Sequence, residues 1–179
     1  MNTVRYIISE LSPKDFDPNA SVGDVNEYRL RRASRGILKK NDTIALINIT
    51  RDNYHKLPGG GIENDETPEL AFEREILEET GCDCVIKDYG GITIEYRKES
   101  KTLQISYVFF AEVKGEPGEA RFEDAEIEEG SKLEWIPIKE IDAVMSKGQP
   151  TDYDDKFIHK RDTDIINFYK NKLFGEKLK

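Results

Sequence analysis

Val4, Tyr6 and Ile8 alternate with polar neighbours, a two-residue period that predicts a strand near the start of the chain. The stretch Ser12–Glu27 carries Pro13, Pro18, Gly23 and several Asp and Asn residues, and reads as a loop. Arg29–Lys39 and Thr43–Ile49 are both β-rich, and Asn41-Asp42 between them supplies the turn of a hairpin. Leu57-Pro58-Gly59-Gly60-Gly61 is expected to interrupt all regular structure. A helix should then open at Thr67-Pro68-Glu69, because proline is tolerated in a first turn, and stop at Gly81. Val85–Arg97, bent at Gly90-Gly91, and Leu103–Val113 read as longer strands, followed by an acidic loop over Gly115–Gly130. A short strand at Leu133–Ile136 and a helix near Ile138–Met145 come next, and Ile158, Ile165, Tyr169 and Leu173 set apolar groups along one side of a closing helix. Strands, one helix, strands and then helices do not alternate strictly. A doubly wound parallel sheet is therefore not expected; a mixed sheet with helices on its faces is.

Length and charge narrow the function classes. At 179 residues the chain is the size of one domain. It is polar, with 37% hydrophobic and 35% charged residues, but its apolar positions are periodic, which argues against disorder. The 27 Lys and Arg residues against 36 Asp and Glu leave a net charge of -9, which repels a nucleic-acid backbone, so no general nucleic-acid binding is expected. A small anionic substrate stays open to such a protein if a cation bridges the two negative partners. Cys82 and Cys84 lie too close in sequence for an unstrained mutual disulfide, and the chain reads as intracellular, with a cytoplasmic location expected. The longest apolar runs are too short to span a bilayer, and the opening MNTVRYIISE lacks the features of a signal peptide, so no membrane partner is expected.

The chemistry concentrates after the glycines, in GGIENDETPELAFEREILEETGC. On a helix, Glu75, Glu78 and Glu79 fall at i, i+3 and i+4 and share one face. Such carboxylates repel one another by a few tenths of a kcal/mol per pair even in water. A hard divalent cation relieves that repulsion, because carboxylate oxygens are the ligands Mg²⁺ takes. Arg74 stands at i, i+4 from Glu78 and can hold one carboxylate in place. For an isolated run of this kind a solvated acidic helix face is the favoured explanation. The companion glycine loop tips the reading, since it lets backbone approach closely, as phosphate and metal sites need.

Gly60, Glu66, Arg74, Glu75, Ile76, Glu78, Glu79 and Gly81 stand at the spacing of the Nudix box, and the chain resembles the Nudix hydrolases on that ground, in particular mutator-type nucleotide pyrophosphohydrolases. Cys82 occupies the box's final aliphatic position, where a thiol packs as a small hydrophobe. Glu134-Trp135-Ile136-Pro137 and the helix after it extend the likeness over roughly Arg31–Met145. The resemblance implies an α/β (α+β) fold, an α/β/α sandwich with a mixed sheet between helices. It implies a single domain over 1–179, with a core at about 29–146, an N-terminal strand and loop at 1–28 and a C-terminal helix at about 153–174.

The implied activity is Mg²⁺- or Mn²⁺-dependent hydrolysis of a nucleoside diphosphate linked to another moiety. Glu75, Glu78 and Glu79 would be metal ligands together with the Gly59 carbonyl, while Glu66 and Arg74 orient them and Gly60 and Gly81 shape the box. Glu75 is the first candidate for general base; Glu129, six residues before Trp135, is the downstream candidate and Glu126 the next. Arg51 is the foremost contact for a distal phosphate, ahead of Arg31, Arg32 and Arg35. Tyr96, Tyr107 and Phe109 could stack on a base but fit sheet packing better, and His55, His159 and the cysteines receive no role. Marks of the ADP-ribose, dinucleoside polyphosphate and coenzyme A subfamilies are not evident, so by elimination the expected substrate is a nucleoside triphosphate, an oxidised one included. A nucleotide conjugate such as ADP-ribose is the alternative, with a non-catalytic sensing module behind it. The N-terminal loop and the closing helix are open to a homodimer contact or a substrate lid.

Overall fold

In the computed structural model, which describes residues 6–174, the strands are β1 (Tyr6–Leu11), β2 (Arg29–Lys40), β3 (Thr43–Ile49), β4 (Tyr54–Lys56), β5 (Gly59–Gly61), β6 (Asp83–Arg97), β7 (Thr102–Lys114) and β8 (Ser131–Pro137). The α-helices are α1 (Pro68–Thr80), α2 (Asp124–Glu128), α3 (Ile141–Lys147), α4 (Tyr153–Phe168) and α5 (Lys170–Leu173). Val4, counted above with the first strand, lies outside the described residues.

One mixed sheet runs in the order β1-β6-β7-β2-β3-β4. Strand β1 lies parallel to β6, β6 antiparallel to β7, and β7 parallel to β2 from Arg29 opposite Thr102 to Lys39 opposite Glu112. The β6–β7 register slips between Tyr89 and Gly91, where the glycine pair was expected to bend the strand. Strands β2 and β3 pair only at their hairpin end, Lys39 with Ile44 and Lys40 with Thr43. Beyond it, β3 takes β4 as a partner, and β2 takes β5. The Leu57–Gly61 segment is therefore not free of regular structure, as its composition suggested. Glycine is a poor strand former, but here Gly59, Gly60 and Gly61 pair with Arg35, Ser34 and Ala33, and the Gly36 amide donates to the Pro58 carbonyl at 3.2 Å.

Period-two alternation sends side chains to both faces. On one, Leu38, Ala45, Phe109 and Ala111 pack against Phe72 and Ile76 of α1 and against Cys82. On the other, Ile37, Ile44, Leu46, Val108 and Phe110 meet Ile141 and Met145 of α3, Ile165 and Ile166 of α4, and Leu173. Helices thus cover both faces of a mixed sheet, as expected. The caps of α1 are those read from the sequence: the Thr67 hydroxyl accepts from the Leu70 amide, Pro68 opens the first turn, and Gly81 takes φ 67° at the C-terminus.

Three further expectations change. The acidic loop holds a helical turn, α2, whose cap bonds the Glu123 amide to the Glu126 carboxylate at 3.0 Å. The helix expected near Ile138–Met145 begins as a 3-10 turn over Ile138–Glu140 and becomes α-helical only from Ile141. Ile158 stands on the same side of α4 as Ile165, seven residues on, but packs against Ile47, Ile49 and Tyr54 in a separate apolar cluster. Among the described residues no helix is long and apolar enough to cross a membrane.

Phe72 is fully buried against Phe109, with ring centroids 5.2 Å apart, and fixes α1 on the sheet. Phe72→Ala should lower unfolding stability by about 3–5 kcal/mol in urea melts, as deletion of a core aromatic does. A loss under about 1 kcal/mol would mean that α1 is held by its polar contacts instead.

Candidate active site

A cavity of about 350 Å³ opens where β5, α1, α2 and α4 meet the strand β2. Its walls include Gly59, Gly60 and Gly61, then Glu75, Glu78 and Glu79 from α1, and Lys56, Glu123 and Glu126. The acidic stripe of α1 therefore faces the glycine strand, and two glutamates of the downstream loop join it.

Arg74 organises this wall. Its guanidinium donates to both Glu66 oxygens at 2.8 and 3.1 Å, to the Gly61 carbonyl at 2.9 Å, to Glu75 at 2.9 Å and to Glu78 at 3.0 Å. Glu66 is itself bonded to the Glu63 amide at 3.0 Å. Those bonds hold the Glu66 carboxyl below its ordinary range, and the Glu66 carboxylate raises Arg74 in turn.

Glu79 is the buried member, its side chain only 2% exposed. Its Oε2 accepts from the Gly59 amide at 2.6 Å, while its buried Oε1 has no hydrogen-bond partner and faces the Lys56 ammonium at 3.6 Å. Burial pushes its pKa up to about 8 against the opposing pull of Lys56. Glu75 is raised as well, by burial first, with Arg74 acting the other way. Lys56 also faces Glu126 at 3.7 Å.

The absent side chains matter equally. A Cβ at Gly60 would overlap the Glu75 carboxylate, and one at Gly59, whose φ is +136°, would overlap Arg35. Among the described residues no three acidic, His or Cys side chains close into a preformed metal cage. The donors nevertheless suit a hard divalent cation. They are carboxylate oxygens, one of them buried without a hydrogen-bond partner, beside a strand stripped of side chains.

Not every sequence candidate reaches this cavity. Glu126 lines it, but Glu129 caps α2 with its carboxylate toward Arg51, 3.9 Å away. Arg51 is also outside the lining; its side chain is 56% exposed and bonded to Asp52 at 2.8 Å. Arg31 and Arg35 do line the cavity, whereas Arg32 does not. None of Tyr96, Tyr107 and Phe109 lines it, and Phe109 is core. His55 is bonded to Glu134 at 2.9 Å and His159 to the Met145 carbonyl at 2.9 Å. Cys82 is buried core, and burial pushes the Cys84 thiol up to about 11.

Sequence reasoning missed Lys56, Arg97 and Arg161. For Arg161 a signal was present: it lies four residues after Phe157 and four before Ile165, in the middle of the buried stripe of α4. An arginine in that row has to be paired or to face a cavity.

An acid whose pKa rises on folding stabilises the fold at low pH, and that contribution is lost as pH climbs through the folded value, about 8 for Glu79. In EDTA the protein should therefore lose stability from about pH 5 to about pH 9, and Glu79→Gln should lose less over the same interval. Urea melts of both proteins check this; parallel losses would show that Glu79 is not the titrating group. Gly60→Ala should weaken divalent-cation binding at least about tenfold in calorimetry, because its Cβ displaces the Glu75 carboxylate.

Residues 30–159 match the NUDIX domain family model. An ADP-ribose pyrophosphatase of Methanocaldococcus jannaschii is 36% identical over 99 residues, which make up 51% of this chain and 59% of that protein. This chain thus matches less than two thirds of that relative's length. Two solved structures share the fold. A NUDIX hydrolase from Nitrosomonas europaea superposes with a TM-score of 0.56 at 19% identity, over 76% of this chain and 92% of that one. A NUDIX-family hydrolase from Clostridium perfringens superposes with a TM-score of 0.54 at 15% identity, over 76% of this chain and 96% of that one. With the family model matched over most of its length and the box residues gathered on one cavity, the chain belongs to the NUDIX family.

Proposed function

We propose that this protein is a divalent-cation-dependent pyrophosphohydrolase that cleaves the diphosphate linkage of a nucleoside diphosphate derivative. The observation that carries the reading is the meeting of Glu75, Glu78, Glu79 and Glu126 with the glycine strand around one cavity. Glu75, Glu78 and Glu79, with the Gly59 carbonyl, would hold the cation, Mg²⁺ or Mn²⁺. When bound, such a cation neutralises the diphosphate and lowers the pKa of a water molecule.

The chain's own groups divide the remaining work. Arg74 fixes the orientation of Glu75 and Glu78 through its bonds to both. Glu75 is the first candidate to take the proton of the attacking water, since burial raises its basicity while Arg74 holds its other contacts. Glu126 takes precedence over Glu129 as the downstream acidic group because it lines the cavity. Lys56, within 3.7 Å of both Glu79 and Glu126, supplies a positive charge between them. We place α4 in the same functional unit as the core, since Ile158 and Arg161 line the cavity too.

For the substrate we propose a nucleoside triphosphate, giving the monophosphate and pyrophosphate. A second reading, cleavage of a nucleotide conjugate, is favoured by one specific observation, the name of the 36% identical relative.

A panel of nucleoside triphosphates, their oxidised forms, ADP-ribose and dinucleoside polyphosphates with Mg²⁺ or Mn²⁺, scored by product identity, separates these readings. Release of pyrophosphate supports the first, and a nucleoside monophosphate with a phosphorylated partner supports the second. Glu78→Gln or Glu79→Gln should lower kcat at least about 100-fold at saturating cation, with an unchanged circular dichroism spectrum. A near-normal rate in either variant would overturn the ligand assignment.

A further inference from the structure

Cationic side chains line the same cavity. Arg31 and Arg35 of β2, Arg97 of β6 and Arg161 of α4 all line it. Three carboxylates accompany them: Glu95 of β6 and Asp162 of α4 are hydrogen-bonded to the cluster, and Asp154 of α4 faces Arg97 at 3.9 Å. Glu95 accepts from Arg97 at 2.7 Å, from Arg161 at 3.1 Å and from Gln104 at 3.0 Å. Asp162 accepts from Arg161 at 2.7 Å and from the Leu57 amide at 2.8 Å.

The other guanidiniums bond only to neutral groups. Arg31 donates to the side-chain amide Oε1 of Gln104 at 2.6 Å, and Arg35 to the Ser106 hydroxyl at 3.3 Å. Among the described residues neither has a carboxylate within 4.0 Å. Four guanidiniums against three carboxylates leave an excess of one positive charge, and neither Arg31 nor Arg35 is among the paired ones. Glu75 also lines the cavity, and its carboxylate is bonded to Arg74.

This arrangement is costly as it stands. Arg35 is only 4% exposed, and a buried guanidinium without a counter-charge loses hydration it does not regain. Burial, followed by the like charge of Arg161, pushes Arg35 down to about 9, which still leaves it cationic at neutral pH. Arg161 is wholly buried, yet its Nη2 has no hydrogen-bond partner. Guanidiniums without a carboxylate partner, lining one cavity with an excess of positive charge, match an anion able to accept several hydrogen bonds, as a phosphoryl group does.

We propose that Arg31 and Arg35, backed by Arg97 and Arg161, form a subsite for a second phosphoryl group of the substrate, distinct from the one addressed by the carboxylate wall. The inference rests on the pyrophosphohydrolase reading for the rest of the substrate. It selects substrates that end in a free phosphate, such as nucleoside polyphosphates, over conjugates whose far end is an uncharged sugar. Arg35 is a specificity residue on this account; its charge serves the ligand rather than the fold.

Removing a structural ion and removing a ligand-binding one have opposite effects on stability, which makes the proposal testable. Inorganic pyrophosphate should be titrated calorimetrically into the full chain in EDTA, alongside Arg35→Met. The expected result is binding to the parent protein, weakened at least about tenfold in the variant, whose melting temperature is equal or higher. Arg31→Met, an exposed position, gives the same comparison if Arg35→Met fails to fold. Equal affinity in parent and variant, no binding to the parent at millimolar pyrophosphate, or a variant that melts lower while still binding would each overturn the proposal. Arg35-dependent pyrophosphate binding in a protein that hydrolyses no nucleotide would sink the enzymatic reading and leave the subsite standing. Hydrolysis with binding indifferent to Arg35 would do the reverse.

Discussion

One guanidinium connects the parts of the acidic wall. Arg74 reaches Glu66 in the loop, the Gly61 carbonyl on β5, and Glu75 and Glu78 on its own helix. Without it, adjacent carboxylates on α1 would repel each other at partial burial, and nothing else would tie the glycine strand to that helix face from this side. The Gly59 amide makes the complementary tie from the other side by donating to Glu79. Between them these contacts set the distance between β5 and α1, and so the width of the cavity. They work only because β5 has no side chains to fill the gap.

The cavity gathers charges of both signs. Carboxylates of α1 and α2 and guanidiniums of β2, β6 and α4 line it, with Lys56 close to Glu79 and Glu126. Neither set is fully paired within the protein: Glu79 keeps an Oε1 without a hydrogen-bond partner, and Arg31 and Arg35 bond only to neutral groups. Burial then amplifies the imbalance, raising the carboxyl pKa of Glu79 and depressing the guanidinium of Arg35. On the reading proposed above, a bound cation and a bound phosphoryl group would answer both demands and let a chain of net charge -9 take a phosphorylated ligand.

The helix α4 shows how fold and site share residues. Phe157, Ile165 and Ile166 bury against the sheet, and Arg161 and Asp162, on the same turns, carry the polar network that floors the cavity. The polar network continues along β6 and β7 through Glu95, Gln104 and Ser106. Its members are bonded mostly to one another, so it orients the guanidiniums and limits their movement.

Local rules made much of this protein legible in its sequence. Helix α1 was readable from Thr67-Pro68 to Gly81 because capping and periodicity act within a few residues, and the acidic wall was readable because i, i+3 and i+4 spacing is itself a geometric statement. The glycine segment was misread as structureless, since composition cannot reveal that Arg35 and Ser34 lie opposite to pair with it. The choice of Glu126 over Glu129 depended on one helical turn inside an acidic loop, and the exclusion of Arg51 on a neighbouring Asp52. Arg35, Arg97 and Arg161 come from three distant stretches of chain, and the β2–β7 and β6–β7 pairings with the docking of α4 bring them together. Sequence alone determined the chemistry available on α1; tertiary structure decided which other charges face it, because charge pairing across a cavity is a long-range contact with no local signature.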